Sequence, residues 1–210
     1  MHHHIAVDDT VRTDVGTVSL PDPARVFASH VRPATGRISL EPKDLTTSEW
    51  LHVAEACSAR TRAFATGRAL ARLLLAGLGY HDAPIPARAD GSACWPPDVV
   101  GSISHAAGVC VVAVARRDRV AGLGIDLEPA AAIEPDLRRY VCTKRELAGL
   151  ARRPELPLGV AARLLFSAKE AVYKCLYPLL AVPLAYEDLE IVPDVARARF
   201  AVRFGPAVAE

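Results

Sequence analysis

Residues 99–115 read VVGSISHAAGVCVVAVA, and this stretch decides the fold. Two valine-rich runs, residues 99–104 and 109–115, flank a turn made of the small residues Ala-Ala-Gly. Short runs of β-branched residues on either side of such a turn are typical of paired β-strands. The stretch therefore predicts two strands that follow one another directly along the chain.

Helical patterns occur on both sides of this strand pair. Apolar residues recur at helical spacing between Arg60 and Leu78, and Gly79 ends that pattern. Further helices are predicted from Thr47 or Ser48 and over residues 137–150 and 159–177, the last stopped by Pro178. Strands are predicted within residues 1–40 and over residues 120–128, 189–192 and 198–204, the last two closing the chain as a hairpin. A Pro-rich loop is predicted over residues 84–97. This mixture predicts an α+β fold.

Composition narrows the classes of function. The chain has 210 residues, 51% of them hydrophobic, and a net charge of +1, so no overall attraction to nucleic acid or membrane is expected. Five cysteines without a CxxC pair fit reduced thiols in a cytoplasmic protein. No apolar segment follows His2, His3 and His4, which argues against a secretory signal. Any anionic ligand must therefore be bound by local clusters of arginine and lysine.

Residues 124–128, GIDLE, carry two acids two positions apart. On a strand, Asp126 and Glu128 share one face. Two carboxylates this close repel each other unless a cation lies between them, and hard oxygen ligands suit Mg²⁺. The alternative is a solvated strand end, which is common for acidic residues.

Residues 166–174, FSAKEAVYK, combine acid and base on a predicted helix. Glu170 and Lys174 are one turn apart, so they share a face. Glu170 is a candidate metal ligand or general base, and Lys169 and Lys174 are candidates to neutralise phosphate charge. The alternative is an ordinary surface ion pair between Glu170 and Lys174.

Residues 101–105, GSISH, end the first strand with two hydroxyls and an imidazole. Ser104 and His105 form a candidate phosphate-binding site. They do not indicate a serine hydrolase, because no GxSxG sequence surrounds the serine. A strand-end histidine on the surface, or one hydrogen-bonded in the core, is the alternative.

The three segments occur in the order SxSH, GIDLE, FSAKEAxYK, and in this order they resemble the 4'-phosphopantetheinyl transferase superfamily, specifically its larger Sfp-like or EntD-like type. The resemblance runs from about residue 60 to residue 183. Residues 90–96, DGSACWP, also look like a loop of that family. The ordered combination is far more specific than any one of the motifs.

The resemblance implies two pseudo-symmetric α/β halves with coenzyme A bound between them. Residues 1–117 form the half that binds the nucleotide, and residues 118–210 the half that carries the metal and catalytic motifs. By position, the magnesium centre consists of Asp126, Glu128 and Glu170, with Mn²⁺ as an alternative metal.

The resemblance also implies a set of phosphate contacts. Ser104 and His105 grip the nucleotide phosphates, and Lys169 and Lys174 lie near the pyrophosphate. Arg60 and Arg68 look like the arginines that reach the 3'-phosphate, with a solvated basic face as the alternative. The family's loop often carries a lysine where this chain has Ser92. Arg88 is the candidate to replace that contact.

The activity implied is transfer of the phosphopantetheine arm of coenzyme A to a serine of a carrier protein, with 3',5'-ADP leaving. Glu170 is the preferred base, with Glu128 or a metal-bound water as rivals, and Lys174 stabilises the leaving phosphate. Residues 84–97 and 177–183 are candidate carrier contacts. The expected protein is a monomer that serves polyketide, nonribosomal peptide or siderophore synthesis. A metal-dependent phosphohydrolase and a non-catalytic module that binds coenzyme A or carriers are the alternatives.

Overall fold

A computed structural model describes residues 10–13, 16–19, 26–153, 155–194 and 197–205. His2, His3 and His4 lie outside these ranges. The chain separates into two compact units, Met1–Leu127 (unit 1) and Glu128–Glu210 (unit 2). The sequence placed a functional division between residues 117 and 118, and the roles given to those two halves stay predictions.

Unit 1 is built on antiparallel strands. Its elements are, in chain order, β1 (Thr10–Thr13), β2 (Gly16–Ser19), β3 (Val31–Arg37), a 3-10 turn (Pro42–Asp44), α1 (Thr47–Trp50), α2 (Ser58–Ala76), β4 (Val99–Ala106) and β5 (Val109–Arg116). β1 pairs with β2, and β5 lies between β3 and β4 in a three-stranded sheet. The predicted strand pair is thus a hairpin. Its two loop residues, Ala107 and Gly108, both have positive φ (49° and 79°), as a tight type I′ turn requires.

Helix α2 covers the three-stranded sheet and supplies most of the helical part of the core. Leu70, Ala71 and Leu75 are fully buried and belong to one cluster with Val112 and Val114 of β5. These residues have the helical and alternating spacings that the sequence shows. The helix predicted over residues 60–78 is confirmed, with both ends shifted by two residues.

The described part of unit 2 combines three helices with a hairpin. Its elements are α3 (Pro135–Val141), α4 (Lys144–Leu150), α5 (Leu158–Leu180), a 3-10 turn (Tyr186–Asp188), β6 (Leu189–Asp194) and β7 (Arg199–Phe204). β6 and β7 pair in antiparallel register, so the predicted closing hairpin is confirmed. The core joins Ala162, Leu165 and Ala168 of α5 to Val141 of α3 and Ile191 of β6.

The structure corrects two predicted helix boundaries. Residues 137–150 form two helices, because Cys142 is extended (φ −99°, ψ 135°) and Thr143 caps α4. Helix α5 continues through Pro178 and is capped by Ala181, which is left-handed (φ 52°). The missing amide and the ring of Pro178 both disturb the helix, but only at its last turn, and the helix ends two residues later at Leu180.

The strand predicted over residues 120–128 is wrong, because the structure assigns no strand there. The mixed fold of helices and antiparallel sheets agrees with the predicted α+β class. Among the helices that the structure describes, none is long and apolar enough to cross a bilayer.

One buried glutamate ties together three parts of unit 1. The side chain of Glu49, in α1, is fully buried. Its oxygens accept hydrogen bonds from the amides of Thr46 (2.9 Å) and Ile85 (2.9 Å) and from Nη1 of Arg72 on α2 (2.7 and 2.8 Å). Thr46 in turn caps α1 by accepting from the Glu49 amide, which completes a capping box.

Unit 2 contains the same arrangement at the start of α4. Glu146 accepts from the amides of Thr143 (2.8 Å) and Ile191 (2.7 Å), and Thr143 accepts from the Glu146 amide. Nζ of Lys169, on α5, donates to Glu146 Oε2 (2.8 Å). In both units the cationic partner follows the glutamate by 23 positions. We call each arrangement a glutamate clamp.

The clamp in unit 1 makes stability depend on pH. Burial raises the pKa of Glu49, but the amides of Thr46 and Ile85 and the charge of Arg72 more than offset this, so the pKa lies below its ordinary value of 4.5. The ionised carboxylate therefore stabilises the folded chain above that value. The stabilisation is lost as the pH falls through the lowered pKa.

We predict that Glu49→Gln lowers the free energy of unfolding by about 2–3 kcal/mol at pH 7, because two amides and a guanidinium lose a charged acceptor. The difference from the wild type should shrink as the pH falls below 4.5. Urea titrations at pH 7 and at several acidic pH values measure both effects. Glu55→Gln, at an exposed glutamate six positions on, is the control and should change stability by less than about 0.5 kcal/mol. A constant difference across the pH range would contradict the prediction.

Candidate active site

The GIDLE segment is held by serine side chains. Ser102 and Ser104 alternate on one face of β4, and both are 6% exposed. The Ser102 hydroxyl accepts from the amide of Ile125 (3.1 Å), and the Ser104 hydroxyl accepts from the amide of Leu127 (3.1 Å). These two amides thus donate to side-chain hydroxyls and not to the carbonyls of a neighbouring strand. This explains why residues 120–128 do not form a strand, although their sequence alternates as a strand's does.

Ser104 also contacts the first acid of the pair. Its hydroxyl donates to Oδ1 of Asp126 (3.0 Å), and Oδ2 of Asp126 is buried. The same hydroxyl therefore orients both the carboxylate and the backbone of the next residue. The contact with nucleotide phosphate predicted for Ser104 stays a prediction, since these hydrogen bonds give the serine a different partner.

In unit 2 the second acid is held by an arginine that the sequence analysis missed. Nη1 of Arg163 donates to Oε2 of Glu128 (2.8 Å), and both side chains are about one-fifth exposed. Nε of Arg163 also donates to the carbonyl of Ala131 (3.3 Å). In the sequence, this role was indicated only by the presence of a charged residue within the apolar stretch of a predicted helix.

Helix α5 approaches the segment after Glu128 closely. A Cβ at Gly159 would lie 2.7 Å from Cβ of Ala132, so only glycine fits without displacing this segment. Gly159 and Arg163 are one turn apart and lie on the same face of α5. The first turns of α5 therefore fix the chain that carries Glu128.

Glu170 lies beside a cavity of about 210 Å³ within unit 2. The hydroxyl of Tyr186 donates to Glu170 Oε1 (2.5 Å), and the Tyr186 ring packs against Tyr140 and Phe166 with ring centroids 5.6 and 5.9 Å away. Tyr173 and Leu184 are also part of the cavity wall. Sequence reasoning missed Tyr186, which lies 16 positions from its partner and in no motif.

Lys169 is a core residue. It is 1% exposed, and its Nζ donates to the carbonyls of Val141 (2.9 Å) and Tyr186 (2.8 Å) as well as to Glu146 (2.8 Å). An ammonium group has three donors, and all three are used here. The structure therefore corrects the predicted contact of Lys169 with pyrophosphate. Lys174 is partly exposed, and its predicted role at phosphate stays a prediction.

The predicted phosphate-binding arginines of unit 1 differ in their surroundings. Arg60 is exposed at the start of α2, whereas Arg68 is 6% exposed, donates from Nε to the carbonyl of Ile85 (2.9 Å), and lies 3.8 Å from the centre of the Phe64 ring. Burial lowers the pKa of Arg68 to about 10, although the charge of Glu49 opposes this shift, so the group remains charged at neutral pH.

Two further predicted phosphate contacts of unit 1 are exposed. Arg88 belongs to the loop of residues 84–97, where Nη1 donates to the carbonyl of Ala93 (3.2 Å). His105 lies near the end of β4. Their contacts with coenzyme A stay predictions.

Carboxylate oxygens fit the predicted divalent cation. Asp126 and Glu170 each have an oxygen that accepts from a neutral hydroxyl, which orients the carboxylate without adding a positive charge, and Mg²⁺ prefers such hard ligands. Within the described parts of the chain, no group of three or more His, Cys, Asp or Glu side chains is arranged to hold a metal ion. The predicted set draws Asp126 from unit 1 and Glu128 and Glu170 from unit 2, and it stays a prediction.

Comparison with known proteins identifies the family. A family model described as the 4'-phosphopantetheinyl transferase N-terminal domain matches residues 48–115, and one described as the 4'-phosphopantetheinyl transferase superfamily matches residues 122–208. The chain is 40% identical over 171 residues to the 4'-phosphopantetheinyl transferase Svp of Streptomyces mobaraensis, which covers 78% of this chain and 68% of the relative.

Two other relatives are similar over different lengths. The chain is 34% identical over 197 residues to the 4'-phosphopantetheinyl transferase PptT of Mycobacterium tuberculosis, covering 93% of this chain and 84% of the relative. It is 35% identical over 89 residues to enterobactin synthase component D of Salmonella austin, covering 42% and 37%. The chain belongs to the 4'-phosphopantetheinyl transferase superfamily. The family and the transferase class predicted from the three ordered motifs are confirmed.

We predict that Arg163→Gln loosens the segment after Glu128, because Glu128 loses its guanidinium partner and Ala131 loses a donor. Amide hydrogen exchange of residues 128–133 should become faster, with a stability loss of about 1–2 kcal/mol. Mass spectrometry of peptic fragments measures the exchange. Arg152→Gln, at an exposed arginine of unit 2, is the control and should leave this segment unchanged. Wild-type exchange in Arg163→Gln would contradict the assignment.

Proposed function

We propose that this chain transfers the 4'-phosphopantetheine arm of coenzyme A to a serine of an acyl or peptidyl carrier protein and releases 3',5'-ADP. One observation supports this most directly: the Glu170 carboxylate borders a cavity of about 210 Å³ with aromatic and aliphatic walls. Such a cavity suits a slender arm in which methylene and methyl groups alternate with amide and hydroxyl groups. The family match over both parts of the chain supports the same reaction.

Asp126 and Glu170 are the proposed ligands of Mg²⁺ or Mn²⁺, with Glu128 bound directly or through water. When bound, the cation neutralises charge on the pyrophosphate of coenzyme A. Glu128 shares its charge with Arg163, so its part in metal binding is proposed to be the smaller one. Hard carboxylate oxygens are the common property of this set.

Glu170 takes the proton from the attacking serine hydroxyl, and the Tyr186 hydroxyl holds the carboxylate in place. Lys174, one turn further along α5, stabilises the leaving phosphate. Arg60, Arg88 and His105 are exposed and charged or polar, which suits contacts with the phosphates of the nucleotide. Arg68 is proposed to support the same region from the core of unit 1.

The two halves are proposed to be pseudo-symmetric. The glutamate clamps support this, since each unit joins a Thr-x-x-Glu cap to a cation 23 positions later on its longest helix. The same buried contacts at the same sequence spacing are stronger support for symmetry than similar numbers of helices and strands would be.

Carriers of polyketide, nonribosomal peptide or siderophore synthesis are the proposed acceptors. The name of the Salmonella relative, enterobactin synthase component D, supports this choice. Residues 84–97 and 177–183 are the proposed carrier contacts, and exposed Leu179, Leu180 and Val182 supply apolar surface in the second of them. The chain is proposed to act as a monomer in the cytoplasm, where coenzyme A and carriers are available.

We predict that Glu170→Gln reduces transfer by about 100-fold or more while coenzyme A binding stays nearly unchanged, because the amide cannot accept the serine proton. The assay incubates the protein with coenzyme A, Mg²⁺ and apo carriers and weighs the carriers by mass spectrometry. Glu155→Gln, at an exposed glutamate of unit 2, is the control and should transfer normally.

The same assay separates the alternatives. A carrier that gains one phosphopantetheine supports transfer. Unchanged carriers together with released phosphate would favour a phosphohydrolase, and unchanged carriers with bound coenzyme A a non-catalytic module. Near-normal transfer by Glu170→Gln would reject Glu170 as the base and leave Glu128 or a metal-bound water.

A further inference from the structure

We propose that Ser104 is a positioning residue that orients the Asp126 carboxylate for cation binding. The inference rests on the proposed function in one respect, namely that Asp126 is a metal ligand. It assigns the serine of the SxSH motif to the acid of the GIDLE motif rather than to the nucleotide.

The hydrogen bonds of Ser104 leave little freedom to its hydroxyl. A serine hydroxyl has one proton to donate and two lone pairs that accept. The amide of Leu127 can only donate, so that contact (3.1 Å) uses a lone pair, and the single proton goes to Oδ1 of Asp126 (3.0 Å). One atom therefore fixes the backbone after Asp126 and the side chain of Asp126 together.

The burial of Ser104 supports this role. The residue is 6% exposed on β4, and its hydroxyl is turned toward residues 126 and 127 of the same unit. A buried hydroxyl with these partners is poorly suited to contact a ligand that arrives from solvent. Orientation of a neighbouring ligand group is the role that its partners define.

The two acids of the pair are held by donors of different charge. Ser104 is neutral, so its hydrogen bond orients Asp126 without adding a positive charge beside the carboxylate. Arg163 is cationic, so its contact with Glu128 offsets the charge that it orients. Ser104 therefore sets the direction of the Asp126 carboxylate without offsetting its charge, which is what a positioning residue for a cation ligand should do.

Ser102 provides a matched control on the same strand. It is equally buried and accepts from the amide of Ile125 (3.1 Å), so its hydrogen bond is to the backbone, whereas Ser104 also contacts a carboxylate. Loss of either hydroxyl removes one tether of the GIDLE segment. Only loss of the Ser104 hydroxyl removes a donor to Asp126.

The experiment is a Mn²⁺ titration of the full chain with saturating coenzyme A, followed by electron paramagnetic resonance. Ser104→Ala should weaken Mn²⁺ binding by about tenfold or more, as removal of the groups that orient metal ligands typically does, and Ser102→Ala should change it by less than about twofold. Both variants should melt at similar, slightly lowered temperatures. Ser104→Thr, which keeps the hydroxyl, should bind Mn²⁺ nearly as the wild type does.

Transfer to a carrier gives a second readout. In Ser104→Ala the Mn²⁺ concentration for half-maximal transfer should rise in parallel with the weaker binding, while the rate at saturating Mn²⁺ recovers much of its wild-type value. Equal Mn²⁺ affinities of Ser104→Ala and the wild type would overturn the proposal. So would equal losses in Ser102→Ala and Ser104→Ala, or a loss in Ser104→Thr as large as that in Ser104→Ala.

The two proposals fail in different ways. A wild-type chain that binds Mn²⁺ but modifies no carrier would overturn the proposed function, and the contrast between the two serine variants in Mn²⁺ binding would still support the role of Ser104. Normal transfer with no contrast between those variants would overturn the role of Ser104 alone.

Discussion

A carboxylate that is withdrawn from water must find its hydrogen bonds inside the protein, and each unit is organised around one such group. Glu49 and Glu146 both begin a short helix, accept an amide from a distant segment and meet a cation on a long helix. Removing one partner leaves the remaining charge buried without a counter-charge, which destabilises the folded state. Each clamp therefore fixes three features together: the first turn of the short helix, the position of the segment that donates the amide, and the rotation of the long helix about its axis.

The clamp in unit 2 also determines where the chemistry can lie. Lys169 points into the core because its three donors are used there. The next residue of a helix is rotated by about 100°, so Glu170 is directed away from that core toward the cavity. Tyr186 forms hydrogen bonds with both residues, since its carbonyl accepts from Lys169 and its hydroxyl donates to Glu170. The buried ion pair and the proposed base are thus parts of one arrangement.

Local patterns in the sequence predicted the helices, the two hairpins and the family, because periodicity and ordered motifs are properties of neighbouring residues. Local patterns failed where the conformation or role of a residue depends on a partner that is distant in the sequence. Residues 120–128 alternate like a strand, but the hydroxyls of Ser102 and Ser104, more than 20 positions earlier, supply their hydrogen bonds. Arg163 and Tyr186 belong to no motif, and the burial of Lys169 depends on a glutamate 23 positions away. Their roles follow from three-dimensional contacts that spacing does not encode.

The boundary between the two units falls inside the GIDLE motif, between Leu127 and Glu128. Asp126 therefore belongs to the same unit as Ser104, and Glu128 to the same unit as Arg163. If relatives of this chain exchanged halves by recombination at this boundary, each acid would travel with the residue that orients it. Two acids that lie two positions apart in one motif would then have separate ancestries, and each would be inherited together with the residue that orients it.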